Sequence, residues 1–222
     1  MTIPEAIAAL QNDTENFLRT NILVISGAQD GVPAGPGYFT MSVRAAGGGG
    51  FLCTKAQPSV VPVGPNVLQA WYIPMEQIAN MNVHRLRTAA ESPLAIMLTS
   101  QITACMFAVG RDGNHTTVAH FQPDQTAHTA PSLSLVDKIR MRSLTDENKL
   151  KQKAAELRQK DLRSDVRGAG LEAFAAQGKT YQAADTVAVV GIRGAGNRWT
   201  IFRQNVRSVS AFEKVISEVK ST

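Results

Sequence analysis

Asp112-Gly113 lies between two runs with strand character, Thr103–Val109 and Thr116–Phe121. A two-residue turn of this composition commits its flanks to an antiparallel pair, so the middle of the chain must enter a sheet. A type I′ turn over Asp112 and Gly113 sets the pairing. Arg111 faces Asn114, Gly110 faces His115, Val109 faces Thr116, and Cys105 falls directly opposite His120. Cross-strand partners share a face with Cβ atoms roughly 4.5–5.5 Å apart. A thiol and an imidazole at that distance form the minimal nucleophile–base pair of a cysteine enzyme. His115, opposite Gly110, would lie five residues from Cys105, about 17 Å along the strand, and takes no part. A cysteine in an apolar strand also serves as a small buried hydrophobe, so spacing alone leaves both readings open.

The rest of the chain fits one soluble domain over residues 1–222. A hydrophobic fraction of 44% and a charged fraction of 18% suit a globular core. No apolar run approaches the roughly 20 residues of a membrane span. The first ten residues lack a basic n-region, so no signal peptide is visible and any export is expected by a leaderless or contact-dependent route. Cys53 and Cys105 are too few for a disulfide framework or a zinc site and suggest a reduced compartment. The net charge is +5. Ten of the 23 Lys/Arg lie between Lys138 and Arg167. Mixed charge along helices reads as a solvated face, and no nucleic-acid motif accompanies it. No cofactor, metal, nucleic acid or membrane partner is expected, and the chain is read as a monomer.

In order, the pattern predicts a helix over Pro4–Leu18, opened by Thr2 and Pro4, with Ile7, Leu10, Phe17 and Leu18 facing inward. Strands follow at Ile22–Ser26, Tyr38–Val43, Phe51–Thr54 and Val67–Ile73. Loops lie at Gly27–Gly37, Gly47–Gly50 and Gln57–Asn66. Met75–Arg87 reads as a short helical or irregular connection, and Pro93–Leu98 leads into the hairpin. Helices are expected at Ser132–Arg142, Thr145–Arg163, Leu171–Ala176 and Ala211–Lys220. Strands return at Thr186–Ile192, Trp199–Arg203 and Val206–Ser210. The Gly-x-Gly pairs at Gly35–Gly37 and Gly194–Gly196 lack a βαβ context and make poor nucleotide loops. The sum is an α/β chain of the α+β kind, a mainly antiparallel β-sandwich flanked by helices.

Ile102-Thr-Ala-Cys105 and Val118-Ala-His120 resemble the motif of the cysteine-dependent glutamine deamidase toxins: a small residue and Cys entering a strand, with His on the next. The chain is most similar to the Burkholderia lethal factor group, then to the cytotoxic necrotizing factor catalytic domain, and distantly to the bacterial chemoreceptor glutamine deamidase. Thr99 occupies the place of a functional threonine six residues before the nucleophile. Ala70-Trp-Tyr-Ile-Pro74 resembles a Trp/Leu/Pro segment ahead of the cysteine. Ala188-Val-Val-Gly191 with Trp199–Gln204 resembles the late hairpin of the lethal factor. Ala104 stands where the family usually has Gly or Ser, and the hairpin spacing is nearer that of the necrotizing factor.

The resemblance implies a compact deamidase-like sandwich that hydrolyses the carboxamide of a specific glutamine on a host protein. Cys105 would be the nucleophile, His120 its base, and Thr99 the group that orients the histidine or the substrate amide. It implies a virulence effector, secreted or injected without a visible signal peptide and acting in the host cytoplasm. A translation factor or a small GTPase is the class of partner it suggests. Two alternatives stand beside it. One is a papain-like cysteine protease or amidase, which shares the Cys–His chemistry but places its Cys at a helix start. The other is a non-catalytic module whose basic helices engage an acidic protein. A Cys53–Cys105 disulfide would make both thiols structural.

Overall fold

The computed structural model describes residues 1–26, 33–44, 50–57, 61–77, 82–103, 105–122, 160, 163–177, 179–181, 185–208 and 214–222. The expected helices 132–142 and 145–163 lie almost wholly outside them. The protein is α+β and mostly strand. Two helices, α1 (Ile3–Asn12) and α2 (Thr14–Thr20), replace the single one expected. Thr2 and Glu5 form a reciprocal capping box at the start of α1. Asp13 interrupts the run because its side chain accepts from the Asn16 N–H and caps α2.

The strands are β1 (Leu23–Ser26), β2 (Gly35–Val43), β3 (Phe51–Lys55), β4 (Val67–Ile73), β5 (Met75–Gln77), β6 (His84–Arg85), β7 (Ile96–Thr99), β8 (Met106–Asp112), β9 (His115–Gln122), β10 (Leu171–Ala176), β11 (Asp185–Arg193), β12 (Trp199–Ser208) and β13 (Lys214–Ser221). One sheet runs β1-β3-β2-β4-β7-β11-β12-β13 and the other β10-β8-β9-β5, with β6 also on β9. The central strand β11 carries Thr-Val-Ala-Val-Val and is buried on both faces. Ala188 and Val190 face a core under α1 and α2, and Val187 and Val189 face a core shared with the second sheet. A third cluster covers the far face of the second sheet, where Val166 packs on Met106, Ala108 and Leu171.

Three expectations are corrected by pairing. Leu171–Ala176 has helical composition but is a strand against β8, because Leu171, Ala175 and Ala176 bury better there than on an isolated turn. Gly110 permits the approach, since a Cβ there would meet the Leu171 side chain at 2.6 Å. Met75–Arg87 supplies the short strands β5 and β6 on the outer edge of β9. The closing helix is instead β13, which completes the ladder of β12; β12 itself absorbs the separate strand expected at Val206.

The first sheet curls on itself. Although β1 and β12 are far apart in the strand order, the Leu23 N–H donates to Gln204 Oε1 at 2.9 Å. The Ile25 N–H donates to Gln101 Oε1 at 3.1 Å, and the Gln101 N–H returns to the Ile25 carbonyl at 3.1 Å. Gln204 Nε2 donates to the carbonyls of Leu18 and Asn21 at 2.5 and 2.6 Å, which ties α2 to the same seam. Gln204 is fully buried. Gln204→Leu would leave one buried N–H and two carbonyls unmatched, each worth about 1–3 kcal/mol. Urea unfolding should show a loss of about 3 kcal/mol or more; a loss under about 1 kcal/mol would mean the seam contributes little.

Candidate active site

Both crossings of the chain from the first sheet to the second meet at one place. β4 ends at Ile73 in the first sheet and β5 begins at Met75 in the second. Pro74 makes the step, since it has no N–H to continue a ladder. The second crossing runs from Thr99 at the end of β7 to Met106 at the start of β8. It is anchored midway by the two-bond bridge between Ile102 and Val187. Cys105 is the last residue of that crossing.

The hairpin β8–β9 forms as expected but in a different register. Asp112 pairs with His115, Arg111 with Thr116, and Phe107, not Cys105, stands opposite His120. The turn residues are Gly113 and Asn114. Gly113 takes φ of +56° while Asn114 does not enter the positive region, which suits the type II′ turn with Gly first. The register is therefore displaced by two residues. That even displacement leaves each side chain on its expected face. Extended by one step it sets Cys105 across from Gln122, so Cys105 and His120 are diagonal neighbours, about 7–8 Å apart at the backbone. His115 lies at the hairpin tip against Arg85, with Nε2 and Nη1 3.3 Å apart, remote from Cys105 as expected.

Thr99 is at the histidine. Its Oγ1 lies 2.7 Å from His120 Nδ1 and donates to the Ile73 carbonyl at 2.8 Å. A hydroxyl has one proton, and the carbonyl can only accept. Thr99 must then accept from Nδ1–H, which fixes the neutral tautomer and leaves the Nε2 lone pair open. Nε2 is buried and has no hydrogen-bond partner among the described residues. Burial of the ring, 1% exposed, lowers the His120 pKa to about 3. The imidazole is a neutral acceptor across the physiological range.

Met75 links the two groups. It pairs with His120 across β5–β9, and its Sδ lies 3.2 Å from Cys105 Sγ. The Cys105 carbonyl accepts from the Tyr181 hydroxyl at 2.6 Å, which pins the peptide that follows the thiol. Burial, and after it the proximity of Cys105, raises the Tyr181 pKa and keeps that donor protonated. Cys105 is 6% exposed and so is the more accessible member of the pair. Met75 and Tyr181 were not singled out in the sequence. Nothing in the spacing of Tyr181 marks it, whereas Met75 follows directly from Pro74 once the sheet change is known.

Cys53 lies in the core under the helices, on the other side of the first sheet from Cys105, and both are thiols. Burial lifts Cys53 to a pKa of about 12. His84 bonds Glu76 Oε1 at 3.1 Å through Nε2, closing the connection between β5 and β6. His128 lies outside the described residues. Among the described residues no three His, Cys, Asp or Glu side chains gather as metal ligands would.

The linkage at His120 has a definite sign. Between pH 6.5 and 3 the unfolded chain binds a proton at this ring that the folded chain excludes, so stability falls as pH falls. From pH 7 to pH 5 the loss from this group is about 2 kcal/mol. Urea unfolding of wild type and His120→Gln at both pH values should show that the variant lacks this part of the pH dependence. Equal dependence would mean that the ring titrates freely in the folded protein.

No protein-family model and no curated protein sequence matches this chain.

Proposed function

We propose that the protein is a cysteine-dependent glutamine deamidase, an effector of the lethal factor and necrotizing factor kind, acting on a host protein. The observation that carries this reading is the Ile73–Thr99–His120 relay, which supports a base of fixed tautomer on the same sheet face as Cys105. Cys105 also leads into a strand rather than a helix, which favours this reading over a papain-like enzyme.

Cys105 Sγ attacks the glutamine carboxamide carbon, and its proton passes to His120 Nε2 as the C–S bond forms. Because burial opposes a standing imidazolium, transfer and attack occur together. The Nδ1–H bond to Thr99 tightens as the ring gains charge. His120 then delivers the proton to nitrogen, ammonia leaves, and a thioester remains. Water, deprotonated by the same Nε2, adds to the thioester; the carboxylate of glutamate departs and the thiol is restored. The net change is amide plus water to acid plus ammonia.

Host-cell lysate treated with wild type should show one glutamine peptide gaining one mass unit, absent after treatment with Cys105→Ala. Modification that persists with Cys105→Ala would refute the assignment. Thr99→Val keeps the shape and removes the acceptor for Nδ1–H. Its kcat should fall about tenfold, in line with one hydrogen bond of roughly 1.4 kcal/mol to a charging group. Stability should fall as well, by about 1–3 kcal/mol for each of the two buried groups left unmatched, the His120 Nδ1–H and the Ile73 carbonyl, so the rate is compared well below the variant's melting temperature. An unaltered rate would reduce Thr99 to a strand-end residue.

A further inference from the structure

The thiol and its base are not joined in this structure. His120 Nε2 is buried and meets no hydrogen-bond partner among the described residues, Cys105 included. The Cys105 thiol donates to Met75 Sδ at 3.2 Å. A thioether is a weak acceptor and not a base, so this bond leaves the proton on the cysteine. A neutral thiol is a poor nucleophile, since the thiolate is the reactive form. The strands explain the placement. Met75 opens β5 as the cross-strand partner of His120, and Phe107 partners His120 from the other side, so the three side chains share a face. Met75 is only partly buried against the cluster that holds Ile73, Cys105 and Phe107. Its unbranched side chain has three rotatable bonds and adapts easily. The Cys105 peptide, by contrast, is pinned at its carbonyl by the Tyr181 hydroxyl. The thiol is left to move by rotation about its own Cα–Cβ bond.

We propose that Met75 is a positioning residue that holds the Cys105 thiol in a protonated resting state, and that a reacting group entering the site displaces the thioether and frees the thiol for His120. The inference rests on the deamidase reading only in taking Cys105 as the reacting thiol. Displacement breaks one weak hydrogen bond and swings a flexible, partly exposed side chain. The released thiol then gives its proton to Nε2 as its sulfur bonds the incoming atom. While the thioether is in place, the thiol is kept in the form least open to oxidation, because susceptibility follows thiolate character.

Labelling of the folded, full-length protein with methyl methanethiosulfonate tests this without a substrate. The cysteine sulfur bonds the reagent's sulfenyl sulfur and methanesulfinate leaves. Mass spectrometry follows the peptide that carries Cys105, with Cys53 as the monitor of unfolding. In wild type only the rare thiolate reacts, so the rate should rise about tenfold per pH unit from pH 6 to 8. His120→Gln should alter that rate less than about threefold, because the base is unengaged. Met75→Leu nearly keeps the volume and removes the acceptor. Its labelling at pH 6 should be about tenfold faster than wild type and flat up to pH 7, since neutral His120 takes the proton during attack. Met75→Leu/His120→Gln should lose both features, so the contribution of His120 emerges only when Met75 is replaced. Slowing of about threefold or more by His120→Gln alone would show the thiol already joined to its base and would overturn the proposal. So would superimposable profiles for wild type and Met75→Leu, or a gain that survives in the double variant and reflects access alone. If Met75→Leu labels Cys53 as fast as Cys105, the comparison of wild type with His120→Gln decides. No glutamine is turned over in this assay, so deamidation in lysate stands or falls separately.

Discussion

The peptide at Pro74 is the constraint on which the rest of the site depends. A strand that cannot donate at one position must leave its ladder there, and β4 leaves it at the rim between the two sheets. Ile73 keeps its carbonyl turned toward the end of β7, where Thr99 donates to it. One residue later Met75 is already in the second sheet beside His120. A single missing N–H therefore brings together the acceptor that fixes the threonine proton, the ring that the threonine orients, and the thioether that touches the thiol. The partner strands stop at the same rim, with β2 beginning at Gly35 beside Tyr72 and β7 ending at Thr99 beside Ile73.

The relay differs from arrangements in which a carboxylate orients the histidine. A hydroxyl whose proton is committed to a backbone carbonyl offers only lone pairs, so it selects the tautomer without adding a charge. Among the described residues no acid bonds the ring to offset its burial, and the ring remains neutral. Such a base is unsuited to a permanent thiolate–imidazolium pair. It suits chemistry of the proposed kind, in which charge develops only while a reacting group occupies the site.

How much of this could be read from the sequence depends on the range of the signal. Thr2 and Pro4 mark the first helix because capping is local, and Val67–Ile73 was legible to the residue because β-branched and aromatic side chains are bounded by Asn66 and Pro74. The hairpin was legible, but its register was not. Asp112-Gly113 and Gly113-Asn114 are both acceptable turns, and the pairing of distant strands decides between them. Leu171–Ala176 misled for the same reason: Leu-Glu-Ala-Phe-Ala-Ala favours a helix until β8 offers a partner. Cys105 and His120 were singled out from a hairpin pairing whose two-residue displacement kept both on one face, and Thr99 from its place in the family resemblance, since a threonine in a strand is by itself ordinary. Tyr181, Gln101 and Gln204 act through backbone groups far away in the chain, and a single sequence carries no sign of that.

The seam at Gln204 bears on the order in which the protein comes into being. The Leu23 N–H and its acceptor are 181 residues apart. During synthesis from the N-terminus, α1, α2 and the first four strands emerge with the outer edge of β1 unsealed and an apolar face still waiting for β11 and β12. Contacts of such separation form late and slow folding, and an uncovered strand edge in the interval invites association. Closure of the first sheet is thus reserved for the C-terminal hairpin, and a nascent chain truncated before Trp199 would have no means of completing it.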